Sequence, residues 1–216
     1  MKHTPYAYRG FTLIELSISM AIIGLLTTLL LVRYPDTAVR MTLVNHVQST
    51  ALLVREAQVR GSAIDTNLGA FGGYGVYASL AFPGQVTLFA DTVDQAASVN
   101  RELPVGNGLF DSSPFNETSS VVRFSKGFSL KKVCTGTGYP FTCNQAGDPD
   151  IDSVTISFTR PNPLPSLYVN GNSAVSVPGV CLELRSYRAP LIGHIRSVQV
   201  FHSGIIRTVI GGCDAS

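Results

Sequence analysis

Gly10-Phe11-Thr12-Leu13-Ile14-Glu15-Leu16 joins a short leader to a long apolar run, and the reading of that junction decides the fold. Met1 to Gly10 carries Lys2 and Arg9. From Phe11 to Val32 follow 22 residues with one charge, Glu15, in the first turn and a half. A helix of that length rises roughly 33 Å, close to the ~30 Å hydrocarbon core of a bilayer. A carboxylate inside such a span is costly, less so near its end, so Glu15 asks for a functional reason. A secretory signal peptide has a shorter apolar region, about 7 to 15 residues, then a small-residue cleavage site. An ordinary single-pass anchor needs no Gly-Phe junction and gains nothing from Glu15.

The string resembles the class III signal of type IV prepilins and pseudopilins. Gly10 stands before the cut, Phe11 after it, and Glu15 is the fifth residue of the mature chain, all heading an apolar helix. The resemblance implies that a membrane aspartic peptidase, the prepilin peptidase, cuts between Gly10 and Phe11 and methylates the Phe11 amine. It implies a single-pass protein of the bacterial inner membrane whose head lies outside the cytoplasm, in the periplasm or at the cell surface. Lys2 and Arg9 would hold the leader inside by the positive-inside rule. In a filament of pilin or pseudopilin subunits, Glu15 would pair with the Phe11 ammonium of a neighbour. Burying either charge alone is unfavourable and the pair offsets part of that, so register is selected.

The chain has 216 residues, and cleavage would leave 206. Beyond about Arg60 some 155 remain, enough for one compact head. The formal charge of +2 leaves with Lys2 and Arg9, so the overall balance does not favour nucleic acid. The distribution is uneven. Residues 61 to 120 hold one base against six acids, and residues 121 to 216 hold nine bases against five acids. That suggests an acidic and a basic side, suited to docking between subunits. Cys134, Cys143, Cys181 and Cys213 all lie in the C-terminal half, an even count that fits disulfides in an exported head. Of the three connectivities we expect Cys134–Cys143 and Cys181–Cys213. The spacings do not look like zinc ligands.

The expected fold class is α+β: a cleaved leader (1–10), an N-terminal helix (11–60) with its transmembrane segment at 11–32, and a β-rich head (61–216). Pro35 interrupts the apolar pattern, predicting a kink or melted turn in one long helix, or else two helices. Val44, Val47, Ala51 and Val54 recur at helical spacing, with Arg40, Gln48, Arg55 and Gln58 on other faces. Beyond Gly61, Gly75–Phe82 and Val86–Ala90 read as paired strands joined by Pro83-Gly84. Val121–Phe124 and Phe128–Val133 flank Ser125-Lys126-Gly127. Val154, Ile156 and Phe158 alternate with Thr155, Ser157 and Thr159, predicting a half-buried strand. Val180, Leu182 and Leu184 repeat that pattern. Ser197–His202 and Ile205–Ile210 flank Ser203-Gly204 as a terminal hairpin, and Pro161 to Pro165 reads as a rigid connection.

The head resembles the H-type minor pseudopilins of type II secretion and the FimT-like minor pilins. The likeness rests on Gly73-Tyr74-Gly75-Val76, Phe89-Ala90-Asp91, Ser153 to Phe158, Val198-Gln199-Val200 and Gly204-Ile205-Ile206-Arg207. It implies a long helix packed on antiparallel sheets. Two functions stay open: a minor subunit of a type II secretion or type IV pilus filament, or a minor pilin that captures DNA for natural transformation. Some FimT-like pilins bind DNA through a Gly-Arg-x-Arg motif, and here Ile205 stands where its first arginine would be. Arg185, Arg188 and Arg207, with Arg196, are the candidate phosphate contacts.

Other constellations are weaker. Asp148, Asp150 and Asp152 alternate as in a calcium loop, but Ser153 replaces the sixth-position glycine and Thr159 the bidentate glutamate. A polar turn is the better account, and Asp91 and Asp94 are weaker still. His3, His46, His194 and His202 are scattered. No Gly-x-Ser-x-Gly elbow and no phosphate-cradling loop occurs. The sequence calls for no cofactor, no metal and no enzymatic activity.

Overall fold

In the computed structural model, residues 10–62, 73–91, 107–112, 117–143, 151–159 and 164–214 are described, apart from the side chains of 32, 33 and 173–175. Leader residues 1–9, Pro161–Pro163, Asp94 and Asp148–Asp150 lie outside that set. The architecture is α+β. One helix, α1 (Leu13–Ser62), is followed among the described residues by eleven strands in two antiparallel sheets. The chain divides into two units, Met1–Val39 and Arg40–Ser216.

The described part of the first unit is Gly10 to Thr12 followed by helix, and the helix's apolar side chains, such as Leu16, Ile22 and Leu29, are exposed. The helix is long and apolar enough to cross a membrane. It continues through Pro35 without a break, so the melted turn and the two-helix alternative are both corrected. Proline removes one donor and crowds one turn. Here the helix on both sides propagates past that single defect.

In the second unit, sheet A holds β1 (Tyr74–Ser79), β2 (Gln85–Ala90), β3 (Thr118–Arg123), β6 (Ser153–Phe158), β7 (Ser166–Val169) and β8 (Asn172–Ser176). Its spatial order is β3-β2-β1-β6-β7-β8. Sheet B holds β4 (Phe128–Thr135), β5 (Thr142–Cys143), β9 (Gly179–Ser186), β10 (Ile195–Phe201) and β11 (Ile206–Ile210), ordered β11-β10-β9-β4-β5. The β1–β2 and β10–β11 hairpins form as the turn residues predict. The Ser125-Lys126-Gly127 turn does not close a hairpin. It carries the chain from β3, paired with β2, to β4, paired with β9 and β5 in the other sheet.

The C-terminal half of α1 packs on this head through Leu43, Val47, Thr50, Leu53, Val54, Ala57 and Gly61, all buried. The buried stripe is therefore rotated from the expected one: Val44 and Ala51 lie at its half-buried margin. Thr50 tolerates burial because its hydroxyl donates to the His46 carbonyl at 2.9 Å. Each large aliphatic on the stripe contributes about 2 kcal/mol by leaving water. At Gly61 the helix meets β6 so closely that a Cβ would stand 2.5 Å from the Phe158 carbonyl oxygen, which only glycine avoids.

The half-buried reading of β6 is also corrected. Val154 to Phe158 are all buried, including Thr155 and Ser157. The cause is a cover formed by residues 107–112: Phe110 stacks on Tyr77 at 4.8 Å and tilts against Phe89 at 5.7 Å, and Gly108 lies beside Ser157. In sheet B the C-terminal tail covers the polar face of β9, so Cys181 and Glu183 are buried with Val180, Leu182 and Leu184.

Candidate functional site

The described N-terminal segment begins at Gly10, and α1 begins at Leu13 with Thr12 as its N-cap. The Thr12 backbone N–H and hydroxyl both donate to Glu15 Oε2 at 2.9 Å, and the Glu15 N–H donates to Thr12 Oγ1 at 3.3 Å. This is a reciprocal capping box, in which a threonine and the glutamate three residues on satisfy helix-start donors that would otherwise be unpaired. The sequence reading missed it, although Thr-x-x-Glu before an apolar run is its signature. Glu15 thus stands at the mouth of the helix, held by local bonds and otherwise exposed.

Further along, four hydroxyls interrupt the apolar run. Ser17, Ser19, Thr27 and Thr28 donate to the carbonyls of Leu13, Glu15, Ile23 and Gly24 at 2.7–2.9 Å. Each hydroxyl is therefore satisfied within the helix, as a lipid environment requires. The segment is long and apolar enough to cross a membrane, with one acid at its head.

The cysteines gather at one end of sheet B. Cys134 is bonded to Cys143 and Cys181 to Cys213, and no described cysteine is free. Cys134 faces both Cys143 and Cys181 across the sheet, so the two disulfides pack into one cluster with Phe141 and Phe201. The tail is tied there a second way: Glu183, fully buried, accepts from the Cys213 N–H at 3.0 Å and from Arg185 Nε at 2.5 Å. Lys132 pairs with Asp214 at 2.5 Å.

The candidate DNA contacts are not brought together as a set of outward-reaching cations. Arg185 is paired with Glu183. Arg207 Nε donates to Gln199 Oε1 at 2.7 Å and the guanidinium lies 5.0 Å above the Phe201 ring. Arg188 lies on the ring of its neighbour Tyr187, at the opposite end of the sheet from the disulfides. Arg196 Nε is buried with no hydrogen-bond partner.

Two histidines tie α1 to the head. Ser125 N–H donates to His46 Nε2 at 3.1 Å, with Phe124 and Phe128 edge-on to the ring, and burial holds the imidazole below its ordinary pKa. Arg40 Nε donates to His194 Nε2 at 3.3 Å, while His194 Nδ1 meets Ser186 Oγ at 2.8 Å. Both rings act as structural fasteners. Among the described residues no group of three His, Cys, Asp or Glu side chains is placed to hold a metal.

No curated protein and no solved structure matches the chain. The junction is different: residues 6–31 match the family model described as the prokaryotic N-terminal methylation motif. That match covers the Gly10-Phe11 junction, the Thr12–Glu15 box and the satisfied apolar helix together. The chain carries the class III N-terminal signal of type IV pilin-like proteins.

Proposed function

We propose that this protein is a minor pseudopilin or minor pilin, a structural subunit rather than an enzyme, which enters an inner-membrane-anchored filament after its leader is removed. The methylation motif at residues 6–31 carries this reading. It makes the prepilin peptidase the first partner and other pilin-like subunits the later ones. Cleavage falls between Gly10 and Phe11, and the new Phe11 amine is methylated. The head faces away from the cytoplasm, where its disulfides persist. The filament belongs to a type II secretion system or a type IV pilus.

Glu15 has a specific part in this scheme. In the separate chain Thr12 satisfies it. In the filament the Phe11 ammonium of a neighbour must compete with that capping box. Charge gives the neighbour the advantage, because a buried ion pair is stronger than bonds from neutral donors. The test is mass spectrometry of the protein recovered from its native membrane. A mature chain starting at N-methylated Phe11 is expected, and an intact Met1 end would overturn the proposal.

A further inference from the structure

Three of the four cysteines stand in one row across sheet B. Cys134 on β4 is directly opposite Cys143 on β5 and, on its other side, directly opposite Cys181 on β9. Direct partners in an antiparallel ladder put their side chains on the same face. Cys213 reaches that face from the tail and bonds Cys181. Cys134 therefore has two cysteine neighbours in the sheet and is bonded to one of them.

The other pairing is geometrically sound. Gly136 N–H donates to the Gly179 carbonyl at 3.0 Å, and the register runs back from that pair to Cys134 and Cys181. Hydrogen-bonded pairs recur every second residue along such a ladder, so Cys134 and Cys181 form one too, with Cα atoms about 5.5 Å apart. Disulfides most often span roughly that distance. A Cys134–Cys181 bond asks the sulfurs to turn, not the strands to move.

Position in the sheet sets which existing bond opens first. β5 is two residues long, stands at the end of sheet B and is paired to β4. β9 is the central strand, between β10 and β4. Short edge segments open locally at a small fraction of the global unfolding free energy, so a dithiol meets Cys143 before Cys181. The tail over β9 is held by several weak bonds. Cys213 N–H donates to Glu183, Phe141 N–H donates to the Cys213 carbonyl at 2.9 Å, and Lys132 pairs with Asp214. The Cys181–Cys213 disulfide adds a covalent tie.

We propose that Cys134 is an exchange cysteine and that the two disulfides form a redox latch on the C-terminal tail. A dithiol reduces Cys134–Cys143, leaving two thiols here and a disulfide on the reductant. The Cys134 thiolate then attacks Cys181 Sγ, the Cys181–Cys213 bond breaks, and its electron pair leaves on Cys213 Sγ, which takes up a proton. One disulfide, Cys134–Cys181, and two thiols, Cys143 and Cys213, remain. With β5 open, Cys181 is the cysteine that stays opposite Cys134, and release of the tail restores its chain entropy. The buried Glu183 face of β9 is then uncovered. This does not depend on the filament reading.

The full-length chain in detergent is treated with limiting dithiothreitol, quenched with acid, alkylated and mapped by peptide mass spectrometry. The first species with two thiols should carry label on Cys143 and Cys213 and keep a Cys134–Cys181 crosslink. Label on Cys134 and Cys143, or on Cys181 and Cys213, with the other original disulfide intact, overturns the latch. Cys134→Ser combined with Cys143→Ser leaves the tail disulfide without its internal attacker. Labelling of Cys213 at the same dithiol concentration should then fall by roughly tenfold. Equal labelling there means direct reduction and also overturns the proposal. If the double variant misfolds, the map of the unaltered chain decides alone.

Discussion

Asp91 offers the sharpest test of the head's packing, because the structure places a carboxylate where a charge is unwelcome. It follows β2 and is 2 % exposed. Its Oδ2 accepts the Gly108 N–H at 2.9 Å, which pins one end of the 107–112 cover. Burial raises its pKa from 3.8 to about 7, against the Gly108 bond, and the charges of Glu117 and Asp111 push the same way. Glu117 is itself buried and accepts the Asp111 N–H at 2.9 Å.

The sign follows from proton binding. In the unfolded chain Asp91 ionises near 3.8, and in the folded head near 7. Between those values the folded state holds the extra proton, so stability falls as pH rises and levels off above the folded value. The gap corresponds to about 4 kcal/mol at 1.36 kcal/mol per pH unit. Asp91→Asn removes the charge while its amide oxygen can still accept from Gly108. At pH 8 the variant should be more stable by about 2–4 kcal/mol, and near pH 4 the two chains should coincide. The assay is urea unfolding of the full chain in detergent, disulfides intact, followed by near-ultraviolet circular dichroism from pH 4 to 8. The difference between the two chains cancels the titration of shared carboxylates. If Asp91→Asn lowered stability at pH 8, or the difference were flat with pH, the reasoning would be refuted.

The processing and surface predictions are simpler. Gly10→Ala, or a bulkier residue, should block or slow cleavage and leave a leader-bearing form in the membrane, seen as a heavier band on immunoblots. Glu15→Val should insert normally yet enter filaments poorly, and wild-type crosslinking to neighbouring subunits would remove any role for the Glu15–Phe11 pair. Alkylation of the unreduced exported protein should label no cysteine; closing the loop between Cys181 and Cys213 contributes about 3 kcal/mol, so its reduction should lower the unfolding midpoint. Duplex DNA should bind only weakly and without dependence on Arg207, because Gln199 and Phe201 already hold that side chain. A gel shift showing tight, salt-steep binding lost in Arg207→Ala would promote the DNA-capture reading.

How much of this was legible depended on whether the signal was local. The Gly10 to Leu16 string is contiguous, and its charge, spacing and apolar flank act on each other directly. Strand positions were also legible, because alternation and turn residues are near-neighbour properties. What covers a strand is not. Val154 to Phe158 alternates polar and apolar, yet both faces are buried, because residues 107–112 arrive from far along the chain. The same holds for β3 and β4, adjacent in sequence and assigned to different sheets by pairings with β2 and β9. One local signal was overlooked. Asn170-Gly171, both at positive φ, closes the two-residue β7–β8 hairpin, and such a dipeptide is the strongest short-range cue for one.

The arginines make the same point for function. Spacing along β9 and β11 puts Arg185 and Arg207 on strands of one sheet and makes a basic patch plausible. Their partners are set by strand register, which spacing does not contain. Glu183 is two residues from Arg185 and points to the same face, so the pair forms within one strand. Gln199 meets Arg207 only because β10 and β11 pair in that register. A cation count over residues 121 to 216 therefore overstates the charge offered to a phosphate backbone. Lys126 and Arg188 differ in kind: they sit on loops with exposed apolar neighbours and no carboxylate among them.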